Sequence, residues 1–412
     1  MLDHPVLIQL VVILGTAKLV GLVLSRFGQP SVVSEMFAGL LLGPGICGAL
    51  FPEIHAQLFA VHTLAGLEGL VQVGVVLFMF IVGLEMRAPS GPKTMMVPVV
   101  SIGTISVLLP LLLGAAISPL LFERFAPPGV PFFAFGAFIA VAFSITAFPV
   151  LARILKDRAI AHTELGQLAL SSAAFSDLLA WVMVGLVVIV ASAQGNWNNA
   201  VELLTGLTLL VAVLFGVVRP LVARMLPPNG KPSNEIFTVI VIGVFVAGYF
   251  TKRIHIDAVF GAFLFGLCLP RDDRLVKWFS ERVEPVAVVV LMPVFFALAG
   301  LKTSAGAFGD ETAWVFALIL VTAVVGKIAG GFVGARLGGC APRMSMSIGA
   351  LMNARGLMEV IVLKIGLDAG LIGADLFTMF LVMAIATTVM AGPLLSLLDR
   401  RPAPVGFVPA EN

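Results

Sequence analysis

The sequence predicts an all-α membrane protein of thirteen transmembrane helices, two of them interrupted. Three observations carry that prediction. Hydrophobic residues make up 59% of the 412 positions and charged residues only 12%, with a mean hydropathy of +1.09, far from the quarter-charged composition of soluble domains. Apolar runs of roughly the 20 residues that a helix needs to cross a bilayer recur from Val6 to Leu398. These runs are continuous, unlike the alternating strands of about ten residues in a membrane barrel, so helices are the spanning form.

In chain order the segments centre near Gly15, Leu40, Val76, Val107, Ala140, Ala180, Leu210, Val244, Phe263, Val290, Leu320, Leu357 and Ala384. The first follows Asp3 and His4 instead of a basic leader, and Gly28-Gln29-Pro30 leads directly into the second, so it reads as a span and not as a cleaved signal. The second ends at "GPGICG" (43–48), which lacks the lysine and hydroxyl of a phosphate loop. Glu35 and Glu85, near the ends of the second and third, read as interfacial or scaffold residues. The fifth carries "SITAFPVLARIL" and the twelfth "MNARGLMEV"; paired interruptions in the two halves point to inverted repeats around a midplane site. Between the ninth and tenth, "RDDRLVKWFSER" (271–282) reads as an interfacial connector helix. The eleventh contains "VVGKIAGGFVGARLGG", whose Gly326, Gly330 and Gly334 permit close helix approach.

Basic residues concentrate in alternate loops: Arg26; Arg87 and Lys93; Arg153, Lys156 and Arg158; Arg219, Arg224 and Lys231; Arg271, Arg274, Lys277 and Arg282; Arg336 and Arg343; Arg400 and Arg401. By the positive-inside rule these are cytoplasmic, which predicts an outside amino terminus and an inside carboxyl terminus. Cys47, Cys268 and Cys340 are too scattered for a disulfide framework or a metal cluster and read as packing residues. No hydrolase elbow or closely spaced His/Cys ligand set occurs, so the chain reads as a transporter and not an enzyme, with no resident cofactor and no nucleic-acid partner. A soluble regulatory domain is not expected.

Asp177 lies well inside the sixth span, within "SSAAFSDLLAWV". An aspartate at the centre of a bilayer helix costs on the order of 2.5–3.5 kcal/mol on insertion scales, so it marks a functional site or a structural bond to a neighbouring helix. A carboxylate there can hold a proton or a metal cation, and competition between the two is enough for exchange. Pro149 removes a backbone N–H and is expected to kink or unwind the fifth span around Thr146, Ala147 and Phe148. The freed carbonyls, with the hydroxyls of Ser144 and Thr146, would suit a hard monovalent cation; the alternative is a plain proline kink. Lys327 either pairs with Asp177 or snorkels to a membrane surface. Arg355 and Glu359, four residues apart on one face, either pair with each other or join the site, as Asn353 would.

"FSITAFPVLARIL", "LALSSAAFSDLLAW", the GK-containing later span and "LMNARGLMEVIVLKIGLDAG", together with "GQPSVVSEMFAGLLLGPG" (28–45) and "LFMFIVGLEM" (77–86), resemble the monovalent cation:proton antiporter-2 family. The resemblance covers nearly the whole chain. It implies a thirteen-helix homodimer in the cell membrane, bacterial inner membrane by analogy, with the fifth and twelfth helices broken and crossing. Residues 1–92 and 233–303 would form a dimerisation scaffold, 93–193 and 304–400 a mobile core, 194–232 a linker helix and 401–412 a cytoplasmic tail. It also implies that Asp177 binds cation and proton, that Thr146 lies in the unwound segment and that Lys327 is the core lysine. Ser176 stands where related proteins commonly have Asp, Asn or Gln, leaving one titrating carboxylate where paired-aspartate members have two. The expected activity is antiport of sodium or potassium against protons, electroneutral if one proton leaves per cation. The alternative is a sodium-coupled organic-anion symporter of related fold. A channel is disfavoured, since no carbonyl-filter sequence or ring of acids is present.

Overall fold

The computed structural model describes residues 5–60, 63–85, 93–161, 163–193, 197–226, 233–254, 256–270, 272–309 and 312–399. Arg87, Lys231, Arg271, Arg400, Arg401 and the 401–412 segment lie outside them. The described chain is all-helical: α1 (Pro5–Ser25), α2 (Ser31–Leu42), α3 (Cys47–Leu50), α4 (Pro52–Leu58), α5 (Leu64–Glu85), α6 (Lys93–Phe125), α7 (Phe132–Ser144), α8 (Phe148–Asp157), α9 (Glu164–Ala193), α10 (Trp197–Val213), α11 (Arg219–Met225), α12 (Asn234–Arg253), α13 (Ala258–Cys268), α14 (Asp273–Glu284), α15 (Met292–Leu301), α16 (Ala313–Leu337), α17 (Pro342–Met352), α18 (Leu357–Asp368) and α19 (Ala374–Asp399). Wide π-helical turns at 214–218 and 285–291 join α10 to α11 and α14 to α15, each beside a proline, Pro220 and Pro285.

Every predicted segment centre falls within a helical stretch, yet thirteen full-length spans are not reached. Among the described residues ten helices are long and apolar enough to cross a bilayer, eleven with the pair α17–α18, which bends by 44°. The shortfall has physical causes. The fifth segment is split into α7 and α8 by an extended stretch at 145–147. The ninth, α13, has only 11 residues, because Asp257 caps its start by accepting the Val259 N–H (2.9 Å) and Pro270 follows its end.

The helices pack into two groups. α1, α2, α5, α12, α13, α14 and α15 pack chiefly on one another, as do α6, α7, α9, α16, α17, α18 and α19. Glycines set the closest approaches inside each group. Gly39 of α2 and Gly300 of α15 face each other so closely that a Cβ on Gly300 would strike the Gly39 carbonyl, and Gly330 and Gly334 of α16 bring it onto the backbone of α6 at Ile105 and Ile102. Gly300→Ala is therefore expected to destabilise the protein by about 1–3 kcal/mol, since backbone cannot yield as a side-chain tip can. Gly15→Ala, with open space around it, should be neutral or stabilising; detergent thermal unfolding of the two variants checks both.

Contacts across the seam between the groups are made by side chains. Trp181 of α9 stacks on Phe263 of α13 (5.8 Å between centroids) and lies near Phe260 (6.3 Å). Lys302 pairs with Asp368 (2.8 Å), and the Ser304 N–H donates to Thr378 Oγ1 (2.8 Å).

Candidate functional site

The break in the fifth segment exposes two helix ends to each other inside the protein. α7 stops at Ser144, Ile145 turns extended (φ −66°, ψ 138°) and α8 restarts at Phe148. Pro149 is the second residue of α8, in the first turn, where its missing N–H leaves no helical bond unmade. The last carbonyls of a helix lack intrahelical donors, and three consecutive ones here are met by cations from the other half of the chain. Arg355 Nη1 donates to Ala142 O (3.2 Å), Arg355 Nη2 to Phe143 O (2.6 Å) and Lys327 Nζ to Ser144 O. Two positive charges thus stand at the negative end of the α7 dipole.

Asp177 sits at the opposite pole. It is 1% exposed, and its Oδ2 accepts the N–H of Phe148, the first residue of α8, at 3.2 Å. A carboxylate at a helix amino terminus is favoured by the exposed N–H groups and by the dipole. Its other oxygen, Oδ1, has no hydrogen-bond partner among the described residues. Beside it lies a cavity of ≈ 10 Å³, about what the centre of one water-sized body needs. Ile145, Thr146, Asp177, Ala180, Trp181 and Val184 line it, with Met358 and Val362 of α18.

Lys327, fully buried, does not make the ion pair with Asp177 that the sequence suggested, nor does it reach a membrane surface. Its ammonium donates to Ser106 O (3.1 Å), Ser144 O and Thr146 Oγ1 (2.7 Å). The end of α7, the unwound stretch and α6 each offer one neutral oxygen, and the three take up all three ammonium protons. The carbonyl of Ser144, expected to be free for a cation, is thereby occupied, and the Ser144 hydroxyl turns back to Val141 O (2.7 Å). Thr146 remains on the cavity wall.

Ser176 is adjacent to Asp177 in sequence but faces another way. Its Oγ lies 2.9 Å from Ser172 O, 3.2 Å from Gly103 O and 3.2 Å from Ser106 Oγ, so it fastens α9 to α6 and does not line the cavity. Ser106, which the sequence gave no reason to single out, therefore touches both Ser176 and Lys327.

The second break, between α17 and α18, turns on Gly356, whose φ of +152° is open to glycine and strained for other residues. Arg355 and Glu359 pair within it (3.0 Å) while fully buried. The Arg355 N–H donates to Thr388 Oγ1 (3.1 Å), and the Thr388 hydroxyl lies 2.6 Å from Arg355 O. Asn353 donates through Nδ2 to Thr387 O (3.3 Å), tying the break to α19.

Known proteins resemble this chain in sequence and, for one solved structure, in fold. The model of the transmembrane sodium/hydrogen exchanger family matches residues 11–399. The chain belongs to the sodium/hydrogen exchanger family. Within or beside that family, the Na(+)/H(+) antiporter NhaS4 of Synechocystis sp. is 35% identical over 97% of this chain and 98% of its own length. The K(+)/H(+) antiporter 1 of Saccharomyces cerevisiae is 33% identical over 95% of this chain, and the cation/H(+) antiporter 20 of Arabidopsis thaliana 32% over 94%. This chain spans only 46% and 47% of those two proteins. In fold, the exchanger-family chain superposes on the sodium proton antiporter MjNhaP1 from Methanocaldococcus jannaschii with a TM-score of 0.60 at 16% identity, covering 94% of this chain and 93% of that one.

Proposed function

We infer that this multi-pass membrane protein exchanges a monovalent cation, sodium or potassium, for protons by exposing Asp177 alternately to the two sides of the cell membrane. One observation carries the reading. A buried carboxylate that lines a cavity large enough for one small body keeps one oxygen on the Phe148 N–H and has no partner for the other among the described residues. An uncompensated buried charge is costly, so the carboxylate holds either a proton or a cation, one at a time. Thr146 also lines the cavity while its hydroxyl accepts from Lys327, and Lys327 and Arg355 hold the end of α7 from which the unwound segment leaves. The relatives named as Na(+)/H(+) and K(+)/H(+) antiporters support the same class of exchange, and nothing supports the organic-anion symporter alternative.

The reading extends to a homodimer formed through the group containing α1, α2 and α12, with the other group moving as the core. With the basic residues of alternate loops read as cytoplasmic, the amino terminus lies outside and the carboxyl terminus inside in this reading. The test is fluorescence dequenching in proteoliposomes with a pH gradient and additions of sodium, potassium, lithium or choline. Cation-dependent proton movement is expected with sodium or potassium, and its absence with every alkali cation removes the reading.

Ser176 cannot titrate, so one proton for one cation is the expected exchange, and it moves no net charge. Each net charge would couple the cycle to voltage by about 2.3 kcal/mol per 100 mV. With the potential clamped by an ionophore, exchange rates should be flat across voltage; rates rising several-fold would overturn one-for-one coupling and assign a second proton to Lys327.

A further inference from the structure

The cavity beside Asp177 is lined chiefly by apolar groups. Asp177, Thr146 and Ile145 border it together with Trp181, Val184, Met358 and Val362. Trp181 is the largest of these and differs from the rest in what stands behind it. It lies four residues beyond Asp177, on the same face of α9 and one turn nearer the Ala193 end. Its indole is stacked on Phe263, 27° from parallel, with Phe260 alongside. Phe260 and Phe263 belong to α13, in the other helix group. One turn on the opposite side of Asp177 there is no comparable bulk, since Ala173 and Ala174 stand there.

The indole thus has two sets of contacts that belong to different bodies: the cation cavity within its own group, and an aromatic pair across the seam. We propose that Trp181 is the gate of the cation site: it bars the Asp177 cavity on the side of α13, and access from that side opens only when the indole and Phe263 part. The inference rests on the exchange reading above and adds to it the residue that decides when the carboxylate is reachable. The physical reason is desolvation. A small cation reaches Asp177 only through a path along which water can follow, and on the α13 side a stacked indole–phenyl pair stands in that path. Trp181 is the bulkiest part of the wall of that ≈ 10 Å³ cavity, so its removal would enlarge the space open to a cation.

The gate can be read without transport. Met358 lines the cavity, so Met358→Cys, in a chain whose Cys47, Cys268 and Cys340 are replaced by Ala, reports access to it. A membrane-impermeant thiosulfonate is applied to each side of proteoliposomes in turn. Trp181→Ala should raise the labelling rate from one side by about tenfold, the scale set by losing one aromatic stack, and Trp181→Phe, which keeps a ring there, by less. Equal rates from both sides in all three proteins would overturn the gate. In exchange assays Trp181→Ala should leak protons without added cation and bring the apparent KM values for sodium and potassium closer together. A lower maximal rate with unchanged KM and no leak would show a packing role only and also overturn it. If the parent protein moves no protons with any cation, the exchange reading fails, and the labelling rates still decide whether Trp181 bars the cavity.

Discussion

Asp177→Asn is expected to reduce cation-dependent proton movement to the background of empty liposomes while the protein inserts and purifies as the parent does. Asparagine keeps the shape of the side chain and retains an oxygen for the Phe148 N–H, so α8 keeps its cap. What it lacks is the charge, and with it both the proton and the cation. Stability should hold or rise, because the replaced group is a buried carboxylate with one unpartnered oxygen and a neutral amide avoids that cost. Transport assays and thermal unfolding on the same preparation check the two halves of this expectation together. Exchange at parental rates by Asp177→Asn would remove the aspartate from the mechanism.

Arg355→Ala is expected to have the largest effect on stability in the molecule, about 3–5 kcal/mol, the range for stripping one partner from a buried ion pair. Three groups lose their donor at once: Glu359, which is fully buried, and the carbonyls of Ala142 and Phe143 at the end of α7. Arg355→Lys should rescue little, since a single ammonium cannot span two carbonyls and a carboxylate as the guanidinium fork does. Adding Glu359→Gln to Arg355→Ala should recover part of the loss by removing the stranded charge. Size-exclusion profiles after heating, taken for the two single variants and the double, separate these outcomes. An Arg355→Ala protein as heat-resistant as the parent would show that the two breaks do not depend on one another.

Much of this could be read from the sequence because the membrane leaves so few options. Apolar run length located the helices, Pro149 located the first break to within a few residues, and the pattern "MNARGLMEV" located the second. Asp177 stood out because a lone acid at that depth is costly. What the sequence could not show was where Lys327 points. Its partners are two backbone carbonyls and one hydroxyl, and carbonyls belong to every residue, so no side-chain pattern announces them. The direction of Ser176 was hidden for the opposite reason: a helix turns by about 100° per residue, so the neighbour of a site residue commonly faces elsewhere. Trp181 is the fourth residue after Asp177, and only the placement of α13 behind it gives that spacing meaning. The short ninth helix escaped because hydropathy alone does not register an aspartate cap and a following proline as the limits of a helix.

The caps on α7 also bear on how the chain is made. Residues 132–144 leave the ribosome long before Lys327 and Arg355 exist, so during synthesis the carbonyls of Ala142, Phe143 and Ser144 enter the membrane without the donors they have in the finished protein. The first half of the chain alone does not contain the donors that meet these carbonyls. A nascent chain halted before residue 327 therefore lacks every side chain that caps this helix end in the finished protein.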